Sequence, residues 1–153
     1  MGELYEESVA LHRALGEMEG VAFWLTNLGW LALSQNDYER ANTAFEKSLV
    51  ILQDVGEKFS IAICMEGLAT IAGLQERNTT GIRRAARLWG VAEIIRETIG
   101  APLTSDERTQ YEQAVTTART QLDDAAWAAA WAAGRAMLLE QAVAYALEEA
   151  DDA

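Results

Sequence analysis

The stretch YEESVALHRALGEMEGVAFWLTNLGWLALSQND, Tyr5–Asp37, lies over FEKSLVILQDVGEKFSIAICMEGLATIAGLQER, Phe45–Arg77, at an offset of forty residues. Identities fall at Glu6/Glu46, Ser8/Ser48, Gly16/Gly56, Glu17/Glu57, Ala22/Ala62, Leu28/Leu68, Ala32/Ala72 and Gln35/Gln75. Where letters differ, apolar character is kept, as at Tyr5/Phe45, Val9/Leu49, Leu11/Ile51, Leu15/Val55, Val21/Ile61 and Leu31/Ile71. A fixed period with two helices per unit marks a stacked helical repeat, in which neighbouring units bury each other's apolar faces.

Working outward, turn and cap residues divide the chain into helices. The first runs over about 4–15 and ends at Gly16, and the second over about 20–35. Asp37 caps a third that stops at Gly56. A fourth covers about 57–76 and a fifth about 80–99, ended by Gly100. There the repeat gives way to GAPLTSDERTQYEQ, which carries Pro102, the one proline. Thr104-Ser105-Asp106-Glu107 is a capping box: a hydroxyl for the exposed amides, and a glutamate three residues on that reaches back. A sixth helix follows to about Leu122. Asp123 or Asp124 caps a seventh, AAWAAAWAAGRA, and LLEQAVAYALEE forms the last. The expected organisation is all-α over 1–153, with repeat hairpins in 1–100 and capping helices in 101–153.

Composition bounds the function. Half of the 153 residues are apolar and the net charge is −12, with acids twice as numerous as bases. That balance argues against a nucleic-acid-binding surface or attachment to anionic lipid. The single cysteine, Cys64, allows no intrachain disulfide and suits a reducing, cytoplasmic setting. Neither a secretion signal nor an apolar run of spanning length is present. No spacing of His, Cys, Asp or Glu resembles a metal site, and no cofactor motif occurs.

The hairpin resembles a tetratricopeptide repeat. Leu25, Leu28, Gly29, Ala32, Tyr38, Ala41, Phe45 and Ser48 fall in order on that motif's positions. Gly29 and Ala41 would let two helix backbones approach, with Leu28 and Phe45 filling the space around them. The next unit carries Met65, Leu68, Ala69 and Ala72, with Ala85 and Trp89 standing in for Ala41 and Phe45 after an insertion near NTTG. The period exceeds the motif's usual length of about thirty-four residues, and the closing proline is absent. Both departures look like the longer-helix repeats of large bacterial signal-transduction ATPase regulators, the MalT-like, AfsR-like and LuxR-type transcription factors. The segments AARLWGVAEIIRETIGAPLTSDERTQYEQAV and AAWAAAWAAGRAMLLEQAVAYAL are similar to the end of the repeat region in such proteins, although Leu138 departs from the small polar cap usual there. The resemblance implies a right-handed superhelical repeat and a regulatory, non-enzymatic role in transcription. It also implies a fragment of a longer parent, since the first helix reads as the second of a pair. The ATPase's GxxxxGK[ST] loop and a basic DNA-recognition helix do not occur in this chain.

Candidate site residues follow. The second helix is apolar almost all round: Val21, Phe23, Trp24, Leu25, Leu28, Trp30, Leu31 and Leu33. The resemblance places the first helix of each pair on a concave surface, where Phe23, Thr26, Trp30 and Leu33, then Ile63, Glu66, Thr70 and Gly73, would point inward. One reading is an apolar groove with polar punctuation, suited to a protein, a peptide or a small ligand. The other is a face buried by later helices curling back, or by a missing repeat. Arg83, Arg84 and Arg87 form a second surface. They read as a docking patch for an acidic partner, such as another domain of the parent chain, or more plainly as a solvated face. His12, the only histidine, has no orienting acid by spacing and reads as a surface or packing residue. Cys64 reads as a buried thiol, and Trp127 with Trp131 as core anchors. The leading expectation is a protein- or ligand-binding module. Its rivals are a homodimerisation module and, more remotely, an enzyme built on Glu66, Arg84 or His12 in mutual contact.

Overall fold

The computed structural model describes residues 2–14, 17–75 and 78–152, with side chains of 2–3, 11–14 and 149–152 left aside. The cap expected at Gly16 and the side chains of His12, Glu76 and Arg77 lie outside the described residues. Eight helices and no strand occur among those described: α1 Gly2–Ala14, α2 Met18–Ser34, α3 Tyr38–Val55, α4 Lys58–Gln75, α5 Thr79–Ile99, α6 Ser105–Arg119, α7 Asp124–Ala136 and α8 Leu139–Asp152.

Local chemistry fixes their ends. Asp37 accepts the Arg40 amide at 3.2 Å, Asn78 the Gly81 amide at 2.8 Å and Asp123 the Ala126 amide at 2.8 Å. Each satisfies a donor that the first turn would leave unpaired. Thr104 and Glu107 form the reciprocal capping box at 3.2 and 2.9 Å. Gly56 and Gly100 close α3 and α5 with φ of +73° and +70°, a conformation that glycine adopts without a Cβ penalty.

Consecutive helices α1 to α5 pack side by side through short connections, and α2 also touches α4. The offset of forty carries through to burial. Val21 and Ile61 are 0% and 1% exposed, Leu25 and Met65 6% and 0%, and Leu28 and Leu68 8% and 2%. Phe45 of α3 is the wedge of this layer. Its ring, fully buried, enters between α2 and α4 where Gly29 and Gly67 leave room. A Cβ at Gly29 would sit 2.6 Å from the ring's Cε1, and one at Gly67 would collide with Cζ. The hollow at Gly29 thus holds an aromatic ring, and Gly67 does the same on the next unit at the position that answers to Asn27.

The later helices close over this layer. Gly90 of α5 faces the Trp131 carbonyl, and Gly134 of α7 faces the Arg87 carbonyl, so both helices approach at backbone contact. Trp131 Nε1 donates to Glu93 at 2.8 Å, and Arg135 bridges Glu93 and Glu97 at 2.7 and 2.9 Å. Trp127 is buried beside Trp89 and Trp131. Helix α8 packs on α3 and α5, while α6 crosses α4 and α5. One apolar cluster runs continuously from Ala22 to Ala146, across the division expected at residue 100. No helix is long and apolar enough to cross a membrane, among the described residues.

Candidate functional site

A cleft of about 740 Å3 lies between the α2–α4 layer and α6. Helix α2 contributes Phe23, Thr26, Trp30 and Leu33, and α4 contributes Phe59, Ile63, Glu66 and Thr70. Helix α5 adds Trp89 and Arg96, and the α6 side adds Leu103, Glu107, Gln110 and Tyr111. Of the eight residues placed inward from the sequence, all but Gly73 line this one space. They do so unequally. Phe23 is 57% exposed and Trp30 36%, with the indole resting edge-on against Phe45 at 5.5 Å between centroids. Ile63 and Thr70 are half-buried, and Thr70 spends its hydroxyl proton on the Glu66 carbonyl at 2.8 Å.

Three of the expected groove residues are buried. Leu33 belongs to the core cluster. The Thr26 hydroxyl is inside the layer, 2.9 Å from the Ala22 carbonyl, 2.8 Å from Ser48 Oγ and 3.4 Å from Cys64 Sγ. This knot consumes the polar capacity that a groove-facing threonine would offer, because a buried hydroxyl must find protein partners. Cys64 is buried as expected, and burial pushes its thiol up despite hydrogen bonds with Thr26 and Ser48. Glu66, 7% exposed, is clamped by Arg96, whose Nε and Nη2 donate to its two oxygens at 2.7 and 3.0 Å. Burial pushes the Glu66 carboxyl up against the pull of Arg96. Desolvation opposes the Arg96 charge, but the hydrogen bonds and charge of Glu66 outweigh it and raise the arginine's pKa. Gly73, also placed inward by the repeat register, instead packs on Ala85, Trp89 and Ala118.

The arginine surface needs a larger correction. Arg84 is buried, donates to the Ala146 carbonyl at 3.0 Å and lies 5.2 Å from the Tyr145 ring centroid. Arg87 is half-buried and donates to the Tyr145 hydroxyl at 3.3 Å. Both clamp α8 to α5. Only Arg83 of the three is exposed. A guanidinium on a long apolar stem can reach over a helix and bond its partner's carbonyls, so a run of arginines need not face water. Arg84 and Glu66 do not meet: Arg84 bonds carbonyls of α8, and Glu66 is held by Arg96.

Sequence reasoning missed Arg96, Phe59 and the whole α6 wall. Glu66 did carry a signal: a lone acid inside the apolar run IAICMEGLATIAGL requires a buried cation, and Arg96 is the residue that supplies it. Phe59 covers that guanidinium at 5.4 Å. Tyr111 packs edge-on against Trp89, and burial is the main cause of its raised pKa, which keeps the phenol neutral. No group of three or more metal-capable side chains occurs among the described residues. Compared with protein-family models, curated proteins and solved structures, the chain finds no match.

Proposed function

We propose that the chain is a non-catalytic recognition module built of stacked helical hairpins, a tetratricopeptide-like arrangement, whose cleft takes a compact ligand. The observation that carries this reading is the cleft itself. Its volume of about 740 Å3 falls in the range of ligand pockets, roughly 300–1,000 Å3, and its walls are mainly apolar and aromatic with a few fixed polar groups. Its two carboxylates each already serve the scaffold: Glu66 holds Arg96, and Glu107 caps α6. Engaged groups suit recognition better than proton transfer, which needs a free acid or base near the reacting atom.

The resemblance to the repeat region of bacterial ATPase-coupled transcription regulators gives the module its setting, a sensor that reports ligand to other domains of a parent chain. Matched burial at an offset of forty and the close packing at Gly29, Ala41, Ala69 and Ala85 support the repeat reading.

Nile red, a neutral dye whose emission shifts on entering an apolar site, tests the cleft. The parent should bind it saturably and Trp30→Ala should not. Trp30→Ala gives up both the buried part of the indole and its edge contact with Phe45, so it should cost about 2–3 kcal/mol and lower Tm by about 4–12 °C, and binding is read well below that transition. Equal dye binding by parent and variant, or none by the parent, refutes the reading.

A further inference from the structure

The charge and aromatic content of the walls narrow what the cleft takes, an inference that rests on its being a binding site. Five of the chain's twelve aromatic residues line this one space, and Phe23, Trp30 and Phe59 each leave a third or more of their surface exposed. The charged groups on the walls are Glu66, Glu107 and Arg96, a net single negative charge.

The one cation is committed. Two nitrogens of Arg96 hold Glu66, the third donates to the Ala101 carbonyl at 3.0 Å, and Phe59 lies against the guanidinium. The carboxylates keep capacity: each Glu66 oxygen accepts a single bond from Arg96, and Glu107 takes the Thr104 amide on Oε1 alone. A carboxylate oxygen has two lone-pair sites. Arg108 lies outside these walls, in a smaller adjoining hollow beside Glu93 and Glu97, which Arg135 already bridges. On the walls of the cleft itself an anion would meet no uncommitted positive charge. A cation would meet carboxylate oxygens and ring faces whose quadrupoles attract it.

We infer that the cleft binds a lipophilic organic cation, a compact molecule carrying one positive charge in an apolar body. The bounded volume suits one such molecule, and the net charge of −12 draws cations toward the surface.

The test uses two ions of nearly equal size and shape and opposite charge, tetraphenylphosphonium and tetraphenylborate. Each is titrated calorimetrically into the whole chain in about 150 mM sodium chloride, where a Debye length of about 8 Å screens distant charges. The phosphonium should bind at least about tenfold tighter than the borate, and Trp30→Ala should lose about tenfold, the upper range of a partly desolvated cation–π contact. Glu107→Gln keeps the capping box but removes a charge, and should weaken the phosphonium by about threefold, the worth of one charge ~6 Å away in a water-like medium. Borate binding equal to or tighter than phosphonium overturns the charge preference while the cleft reading stands on Nile red. Phosphonium binding that Trp30→Ala leaves unchanged places the cation elsewhere and also overturns it. If neither ion nor Nile red binds the parent, the cleft reading and this inference fall together. If a lysine-rich amphipathic peptide binds and the phosphonium does not, the occupant is a protein segment and the inference fails.

Discussion

Replacing Gly67 with alanine should destabilise the protein although alanine is the better helix former. A Cβ there would lie 2.9 Å from Phe45 Cε1 and closer still to Cζ and Cε2. Comfortable carbon–carbon contact is about 3.5–4.0 Å, so the ring must move by roughly an ångström. It has little space to do so. Gly29 approaches the same ring from α2, where Cδ1 and Cζ are each 2.8 Å from a would-be Cβ, and the ring is wholly buried. Overpacking costs about 1–3 kcal/mol, contacts this short with a wholly buried ring belong to the upper part, about 2–3 kcal/mol, and the helix-propensity gain returns about 1 kcal/mol. The net loss expected for Gly67→Ala is roughly 1–2 kcal/mol. In a Phe45→Leu background the shorter side chain frees the space, so the same change should stabilise by about 1 kcal/mol. The sign reversal implies a coupling of about 2–3 kcal/mol, in the upper range for residues in contact. Urea titrations of the four proteins by far-UV circular dichroism measure it, with constant m-values certifying a common unfolded state. Gly67→Ala that stabilises the parent, or costs the same in both backgrounds, refutes the wedge. The consequence reaches the cleft, because Trp30 rests on Phe45 and the spacing of α2 and α4 is the cleft's floor.

Arg96→Met strands a buried carboxylate and should cost about 3–5 kcal/mol, whereas Arg96→Met with Glu66→Gln should recover more than half of that in thermal melts. Recovery of none would mean that the pair is not what joins α4 to α5. The backbone amide of Thr104 holds the Glu107 carboxyl below its ordinary value of 4.5, so its contribution is present above that pH and is lost as pH falls through the lowered value. The amide introduced by Glu107→Gln does not titrate, so the stability difference between parent and variant should narrow below pH 4.5 in melts from about pH 3 to 7; parallel curves would refute the assignment. Burial raises the Glu66 pKa, which gives the opposite sense: its ionisation costs the fold stability as pH rises through the raised value, in both proteins alike.

How far the fold was legible depends on where its determinants sit. Caps are local, so Asp37, the Thr104–Glu107 box, Gly56 and Gly100 could be placed from a few adjacent letters, and the helix ends follow them. The offset of forty shows which apolar positions are equivalent, and Val21/Ile61, Leu25/Met65 and Leu28/Leu68 are alike in burial, whereas Tyr5 and Val9 on α1 are only half-buried where Phe45 and Leu49 are fully buried. Long-range polar pairing was not legible in the same way. Arg84 and Arg87 read as exposed because neighbours in sequence gave them no partner. Their partner is Tyr145 on α8, about sixty residues away. Thr26 read as a groove residue because helical spacing reports a direction and not a depth. The Ser48 and Cys64 groups that draw its hydroxyl inward belong to two other helices.

The cleft was half visible for a related reason. Helix α2 is apolar on more faces than one neighbour can cover, so an uncovered or late-covered side was expected, and two readings stayed open. The structure answers with both. Helix α5 ends at Gly100, and the turn through Pro102 sends α6 back across α4 and α5. That crossing buries Gly73 beneath Ala118 and closes one end of the face, while Phe23 and Trp30 on α2 stay exposed. The cavity lies where α6, packed on α4 and α5, stands off from Trp30. Its polar groups serve the scaffold first: Glu66 fastens α4 to α5, and Glu107 starts α6. Removing either group for a binding assay therefore perturbs the fold as well. Phe23 and Trp30 also pack on Trp24 and Phe45, but their exposed ring surface serves no scaffold contact, and it is there that recognition separates best from stability.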